Sequence, residues 1–315
     1  MSLIVSELTK KYGEKTVLDR LSFSMEEPGV YALLGTNGAG KTTAIRMILG
    51  MLSSDGGKVT WNGGKLDSTT CNVGYLAEER GLYPKYTLMD QLLYFTSLRG
   101  VERSVAKKRI DYWAKRLEVT EYLYPPVLPN GRKTKAKTAD QLSKGNQQKI
   151  QFMISLLSDP ELIILDEPLS GLDPVNTDLF KSVIREQIDM GKYLIMSSHQ
   201  MATVEEFCTD ITILDRSKTV LQGNLNEIKK SYGRVNLRLK TEGDARAHIK
   251  KAGIILLSDV ENDYALKVTG EAQANALLSS LVKDGIPVIS FDLREPSLHE
   301  IFVEKVGTDH ETLEN

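Results

Sequence analysis

Gly35-Thr36-Asn37-Gly38-Ala39-Gly40-Lys41-Thr42 is the stretch from which this chain is best read. It fits G-x-x-x-x-G-K-[ST], a pattern whose glycines let backbone N–H groups close around an anion at the start of a helix. The flanks supply the context this motif needs. Gly29-Val30-Tyr31-Ala32-Leu33-Leu34 is a short apolar run suited to a buried strand. Thr43 to Leu52 then carries Ala44, Ile45, Ile48 and Leu49 at helical spacing until the Asp55-Gly56-Gly57 cluster ends it. Strand, loop and helix in that order predict a nucleotide phosphate site. Lys41 is the point charge for the β- and γ-phosphates, Thr42 a hydroxyl ligand for Mg²⁺, and Thr43 and the loop backbone further phosphate contacts.

Three more motifs follow in order. Leu142-Ser143-Lys144-Gly145-Asn146 precedes Gln147 to Leu157, which is helical in pattern, so the Ser143 hydroxyl, the Gly145 N–H and the positive helix end can converge on an anion. Leu162-Ile163-Ile164-Leu165 reads as a buried strand ending in Asp166-Glu167. Asp166 suits a carboxylate that holds Mg²⁺, and Glu167, on the opposite side if the strand alternation continues, can polarise an attacking water. His199 follows a second apolar run, Tyr193-Leu194-Ile195-Met196. A strand-end Asp-Glu pair is ordinarily a solvated cap, and the upstream loop makes this one catalytic; a lone His is ordinarily structural.

With 315 residues and 41% apolar content the chain can bury a full core and has room for about two domains. The formal charge of −2 gives no global positive field for nucleic acid or an anionic bilayer, so no nucleic-acid partner is expected. Cys71 and Cys208 form no CxxC pattern, which favours a reducing compartment over a disulfide frame or zinc site. No apolar run approaches the ~18 residues of a membrane span, and the N-terminus lacks a signal-peptide pattern.

Leu3 to Tyr12 and Val17 to Met25 read as strands around the turn Tyr12-Gly13-Glu14-Lys15. Leu88 to Leu117 is helical, with Leu92, Leu93, Phe95 and Leu98 on one face and Arg103 to Arg109 opening a second helix, so a helical subdomain is expected at about 85–160. The proline-rich segment from Tyr124 to Lys135 reads as a surface loop. Beyond Gly223 the pattern becomes β-α-β-β-α-β: strands Val235 to Leu239, Ile254 to Leu257, Tyr264 to Val268 and Pro287 to Leu293, with helices Asp244 to Ala252 and Ala272 to Lys283. A last helix runs from Ser297 to Glu304. The expected fold is α/β, with an ATP-binding domain over 1–223 and a small α+β split-βαβ domain over 224–315.

These motifs resemble the ATP-binding-cassette (ABC) ATPases over roughly positions 2 to 225, and the Ser143 segment decides the match. The resemblance implies a P-loop NTPase of ABC type, with a mixed sheet core, an antiparallel β subdomain and a helical subdomain. It also implies two protomers that sandwich two ATP molecules, each loop facing the other's Ser143 and Gly145. It assigns Ser170-Gly171-Leu172-Asp173 to the loop crossing that interface, His199 to the γ-phosphate switch, and Tyr12 to an aromatic stacked on adenine. Lys144 and Asn146 stand where the commonest pattern has Gly and Gln. Glu78, in Val73-Gly74-Tyr75-Leu76-Ala77-Glu78-Glu79-Arg80, replaces a glutamine that reaches Mg²⁺ and the water. A carboxylate there can ligate the metal but adds charge beside the γ-phosphate.

The tail Arg294-Glu295-Pro296-Ser297-Leu298-His299-Glu300-Ile301-Phe302 resembles the end of the C-terminal domain in exporter-type subunits. The reading is therefore the ATP-hydrolysing subunit of an ABC transporter. It would work as a homodimer, or a heterodimer with a related subunit, at the cytoplasmic face of the membrane beneath a permease on another chain. Arg132, Lys133, Lys135 and Lys137 are most simply a solvated loop, or more sharply a contact with that permease or with lipid headgroups. The rival, a soluble ABC ATPase acting on ribosomes or nucleic acid, shares the motifs. Against it stand one cassette rather than two, no heptad arms and no basic excess.

Overall fold

The computed structural model describes residues 1–67, 71–79, 81–124 and 135–311. The chain divides into two compact units, Met1–Gln222 and Gly223–Asn315. In the first, β1 (Leu3–Tyr12) and β2 (Lys15–Met25) form a hairpin, and β3 (Gly29–Gly35) runs into helix α1 (Lys41–Ile48). Strands β4 (Gly56–Trp61) and β5 (Gly64–Lys65) complete an antiparallel sheet of order β2-β1-β4-β5.

A six-stranded sheet holds the centre. Its order is β10-β9-β3-β8-β7-β6, built from β3 with β6 (Val73–Leu76), β7 (Leu162–Asp166), β8 (Tyr193–Ser198), β9 (Asp210–Asp215) and β10 (Lys218–Asn224). The β3–β8, β3–β9, β7–β8 and β6–β7 pairs are parallel. Every residue of β7 and β8 is buried, which is why both read as continuous apolar runs rather than alternating ones. Ile45 and Ile48 of α1 are fully buried in the core that also holds Leu33 and Ile164. Each such side chain contributes about 1.5–3 kcal/mol.

The helical region comprises α2 (Leu88–Leu98), α3 (Arg103–Arg116), α4 (Thr120–Leu123), a 3₁₀ turn (Ala139–Gln141) and α5 (Lys144–Leu156). Helices α6 (Pro174–Asp189) and α7 (Met201–Phe207) flank β8 in sequence. Two sequence expectations need correction. Helix α1 stops at Ile48 because the chain turns at Gly50, where φ is +71°; Gly56 and Gly57 open a strand instead of ending the helix. The inner face of α2 is Leu88, Gln91, Leu92 and Thr96, whereas Leu98 is 62% exposed. Gln91 is buried because its amide is used: Nε2 donates to Tyr83 and Tyr86 carbonyls and Oε1 accepts from Tyr83 N–H. The proline-rich segment 125–134, with Arg132 and Lys133, and also Arg80, lie outside the described residues.

The second unit begins with α8 (Leu225–Tyr232), which the sequence pattern did not mark. It continues as β11 (Asn236–Thr241), α9 (Arg246–Lys251), β12 (Ile255–Val260), β13 (Asp263–Lys267), α10 (Glu271–Lys283), β14 (Val288–Arg294) and α11 (Leu298–Glu311). Sheet order β12-β13-β11-β14, antiparallel throughout, is the split βαβ arrangement. Leu237, Leu239, Tyr264 and Leu266 face Ile249, Leu277 and Leu281 of the helices in one core, while Arg238, Lys240 and Asp263 occupy the alternate positions.

Candidate functional site

Strand β3, between β8 and β9, delivers Gly35 to the surface of the sheet core. Only glycine fits at two points of the loop that follows. A Cβ on Gly35 would lie 2.3 Å from the Leu214 carbonyl oxygen, and one on Gly40, at φ +111°, would lie 2.6 Å from that of Val17. Gly40 is the N-cap of α1 and offers no side-chain hydrogen bond, so the first N–H groups of this helix have no side-chain acceptor. Lys41 is 7% exposed; its Nζ donates to the carbonyls of Gly35, at 2.9 Å, and Thr36, at 3.3 Å, and lies 4.0 Å from Glu167 Oε1. A cavity of about 370 Å³ opens over these groups. Asn37, Gly38, Gly40, Lys41, Thr42 and Thr43 line one side, with Val17, Glu78 and Glu167 around them.

Asp166, at the end of β7, is 1% exposed. Its Oδ1 accepts from Ser197 Oγ at 2.5 Å and from Thr42 Oγ1 at 3.5 Å, whereas Oδ2 is buried with no hydrogen-bond partner. Burial pushes the Asp166 carboxyl above its ordinary range, the Ser197 and Thr42 hydroxyls pull it back, and the neighbouring Glu167 charge raises it further. An orphaned buried carboxylate oxygen beside a threonine hydroxyl and a phosphate loop fits a divalent cation. Among the described residues no three His, Cys, Asp or Glu side chains could hold a metal by themselves. Mg²⁺ commonly uses one or two protein ligands together with phosphate oxygens.

Glu167 departs from the expected alternation. Its φ of +51° turns the chain out of the strand, and its N–H donates to Ser197 Oγ at 2.9 Å. The carboxylates of residues 166 and 167 therefore both reach the loop side instead of opposite faces: Oε1 of Glu167 sits near Lys41, and Oε2 is 2.8 Å from His199 Nδ1. Ser197, which sequence reasoning missed, holds both acidic residues at once. It pairs with Asp166 in the β7–β8 register, and its only sequence signal was a Ser-Ser-His run ending an apolar strand.

Ser143, Gly145 and Asp173 do not line this cavity. Ser143 is the exposed N-cap of α5, its Oγ accepting from Asn146 N–H at 3.3 Å. Asn146 Nδ2 in turn donates to Tyr122 Oη at 2.9 Å. Asp173 caps α6 through Asn176 N–H at 2.9 Å, a bond that holds its carboxyl below the ordinary range. Helix α5 is tied to the acidic turn by Gln148 Nε2 donating to Pro168 O, at 2.8 Å, and to the segment after β6 by Gln151 Nε2 donating to Glu79 O, at 3.3 Å. Tyr12 ends β1, 56% exposed, at the tip of the hairpin whose second strand carries the cavity residue Val17.

Comparison with known proteins agrees with this geometry. Residues 18–170 match the ABC transporter family, and residues 223–306 match the C-terminal domain of DrrA1-3-like ATP-binding proteins. The chain is 41% identical to the uncharacterized ABC transporter ATP-binding protein YhaQ of Bacillus subtilis, over 98% of this chain and 100% of that one. It is 31% identical to the Nod factor export ATP-binding protein I of Ralstonia nicotianae, over 72% and 68% of the two chains. A solved ATP-binding subunit of an ABC transporter superposes with a TM-score of 0.65 at 26% identity, over 74% of this chain and 93% of that one. The chain belongs to the ATP-binding proteins of ABC transporters, which bind ATP and hydrolyse it to power transport.

Proposed function

We propose that this subunit binds Mg²⁺-ATP between the Lys41 loop of one protomer and the Ser143 segment of another, and that closure of this sandwich drives a permease on a separate chain. The observation that carries the reading is one cavity lined by an uncapped helix start, Lys41 and Thr42, with Thr42 hydrogen-bonded to the buried Asp166 carboxylate, whose Oδ2 is orphaned. Thr42 and Asp166 are the residues to hold Mg²⁺, with Glu78 within the same cavity as a further oxygen donor. The bound ion would neutralise charge on the β- and γ-phosphates.

Lys41 is held by loop carbonyls, partners that bind an ammonium far more weakly than a phosphate does. Bound phosphates draw Lys41 toward themselves and release Glu167 from it. Glu167 then accepts a proton from water, the water oxygen forms a bond to the γ-phosphorus, and ADP leaves with the electrons of the broken P–O bond. His199, hydrogen-bonded to Glu167, orients that carboxylate and reaches the γ-phosphate. Tyr12 stacks on adenine, and Gly35 to Thr43 cradle the phosphates. Ser143 and Gly145 donate to the γ-phosphate held by the partner, and Asp173 supports the same interface.

Export as the direction of transport is supported by the name of the Ralstonia relative. Among the described residues no helix is long and apolar enough to cross a membrane. We place the subunit at the cytoplasmic face of the membrane, attached through its permease. The dimer can be of two copies or of this chain with a related subunit.

The test is light scattering of Glu167→Gln with and without Mg²⁺-ATP, beside hydrolysis by the unmodified protein. A dimer trapped by ATP, with hydrolysis reduced at least ~100-fold, is expected. A monomer that still hydrolyses ATP would overturn the assignment of this site.

A further inference from the structure

Lys10 is a buried cation that the ATPase chemistry above does not use. It follows Leu3, Val5 and Leu8 in the inward row of β1 and is itself only 7% exposed. Its Nζ lies 3.3 Å from Asp55 Oδ1 and 5.4 Å from the ring centroid of Tyr12. Asp55 is fixed in turn: Oδ2 accepts from Lys11 N–H at 2.6 Å, and its own N–H donates to Thr9 O at 2.9 Å. The Lys11 N–H holds the Asp55 carboxyl below its ordinary range, burial opposes it, and the Lys10 ammonium adds to the lowering.

An apolar side chain would pack this row at lower cost, because a desolvated ammonium needs a partner to be tolerated. What the lysine adds is a positive charge held against one face of an aromatic ring that is otherwise open to solvent.

We propose that Lys10, anchored by Asp55, is a positioning residue for the nucleobase. Its ammonium fixes the Tyr12 ring at the hairpin tip and draws electron density from it, so that the opposite face stacks more strongly on an electron-rich purine. The proposal rests on the reading of Tyr12 as the adenine contact. It predicts an effect confined to ligands that carry a base. The phosphate cradle, built from the loop after β3, does not include Lys10.

Calorimetric titration of the full chain with Mg²⁺-ATP, Mg²⁺-GTP and inorganic tripolyphosphate separates the two parts of the ligand. Tyr12→Ala should weaken both nucleotides about tenfold, the scale of one base-aromatic stack. Lys10→Met should weaken them about three- to fivefold, the scale of a partly exposed cation–π contact. Lys10→Arg should restore wild-type affinity, and Asp55→Asn should fall between wild type and Lys10→Met. Tripolyphosphate affinity should not move in any variant. Unchanged ATP affinity in Lys10→Met, alongside a loss in Tyr12→Ala, overturns the role of Lys10 and leaves the stacking reading intact. Equal losses for ATP and tripolyphosphate in Lys10→Met overturn it too, because the hairpin would then be distorting the phosphate loop. An inert Tyr12→Ala removes the stacking reading and this inference with it.

Discussion

Helices α1 and α5 begin in opposite ways. The start of α1 has no side-chain cap and lies in a cavity with a buried lysine and Glu167, whose backbone N–H shares Ser197 Oγ with the Asp166 carboxylate. The start of α5 is exposed and capped by its own Ser143. An uncapped helix start beside a cation is ready to bind an anion within a single chain. A serine cap spends one lone pair on the helix and keeps its O–H proton, so it can still donate to an anion brought from outside. One half of the proposed ATP site is thus organised before any partner arrives, and the other half is complete only in the dimer.

The largest expected effect separates these halves. Ser143→Arg places bulk and charge at the exposed helix start without touching the cavity around Lys41. Binding of ATP to the isolated chain should stay within about twofold of wild type, while ATP-dependent dimerisation and hydrolysis should fall ~100-fold, as for loss of an essential transition-state contact. Titration calorimetry, light scattering and phosphate release check this together. If affinity in the monomer collapsed as well, the two halves would not be independent.

A smaller effect should come from within the organised half. Glu78 brings a second acidic side chain to the cavity that Glu167 lines. Glu78→Gln should keep nucleotide affinity and change either the hydrolysis rate or the Mg²⁺ concentration for half-maximal activity, by several-fold, the scale of one partly screened charge. Identical values for both proteins would refute a role for this carboxylate in metal handling.

The organised half was the more legible in sequence. The glycine spacing at Gly35, Gly38 and Gly40 and the apolar strands before it and before Asp166 need no tertiary information to recognise, although the backbone that excludes a Cβ at Gly35 and Gly40 belongs to the distant Leu214 and Val17. The β-α-β-β-α-β order of the second unit was readable for the same reason, each element carrying its own period. What escaped depends on distant partners. Ser197 acquires its role through register with a strand 31 residues away, and the left-handed turn at Glu167 cancels the alternation assumed for it. Lys10 is one of several charged residues near the N-terminus until Asp55, 45 residues later, folds against it. Leu98 looked like core because helical periodicity cannot reveal where a helix ceases to be covered.

The finest contrast concerns two aspartates whose carboxyls move in opposite directions. Asp166 is raised by burial, so between its ordinary and raised values the native chain holds more protons than the unfolded chain, and stability falls as pH increases through that window. Above the window the ionised carboxylate is a constant cost that an asparagine does not carry. Metal-free Asp166→Asn should therefore melt a few degrees above wild type at neutral pH, at about 2–4 °C per kcal/mol, with the gap closing as pH falls into the carboxylate range. Asp173 is lowered by the Asn176 N–H, so its cap stabilises α6 at neutral pH and loses strength as pH falls through its depressed value. Asp173→Ala should melt below wild type at neutral pH, and that gap should also close toward acid. Adding Mg²⁺-ATP should then lift wild type above Asp166→Asn, because ligand binding to the native state repays the carboxylate that burial penalises. If both variants instead shifted in the same direction at neutral pH, the division between a half strained for its ligand and a half that serves its own helix would fail.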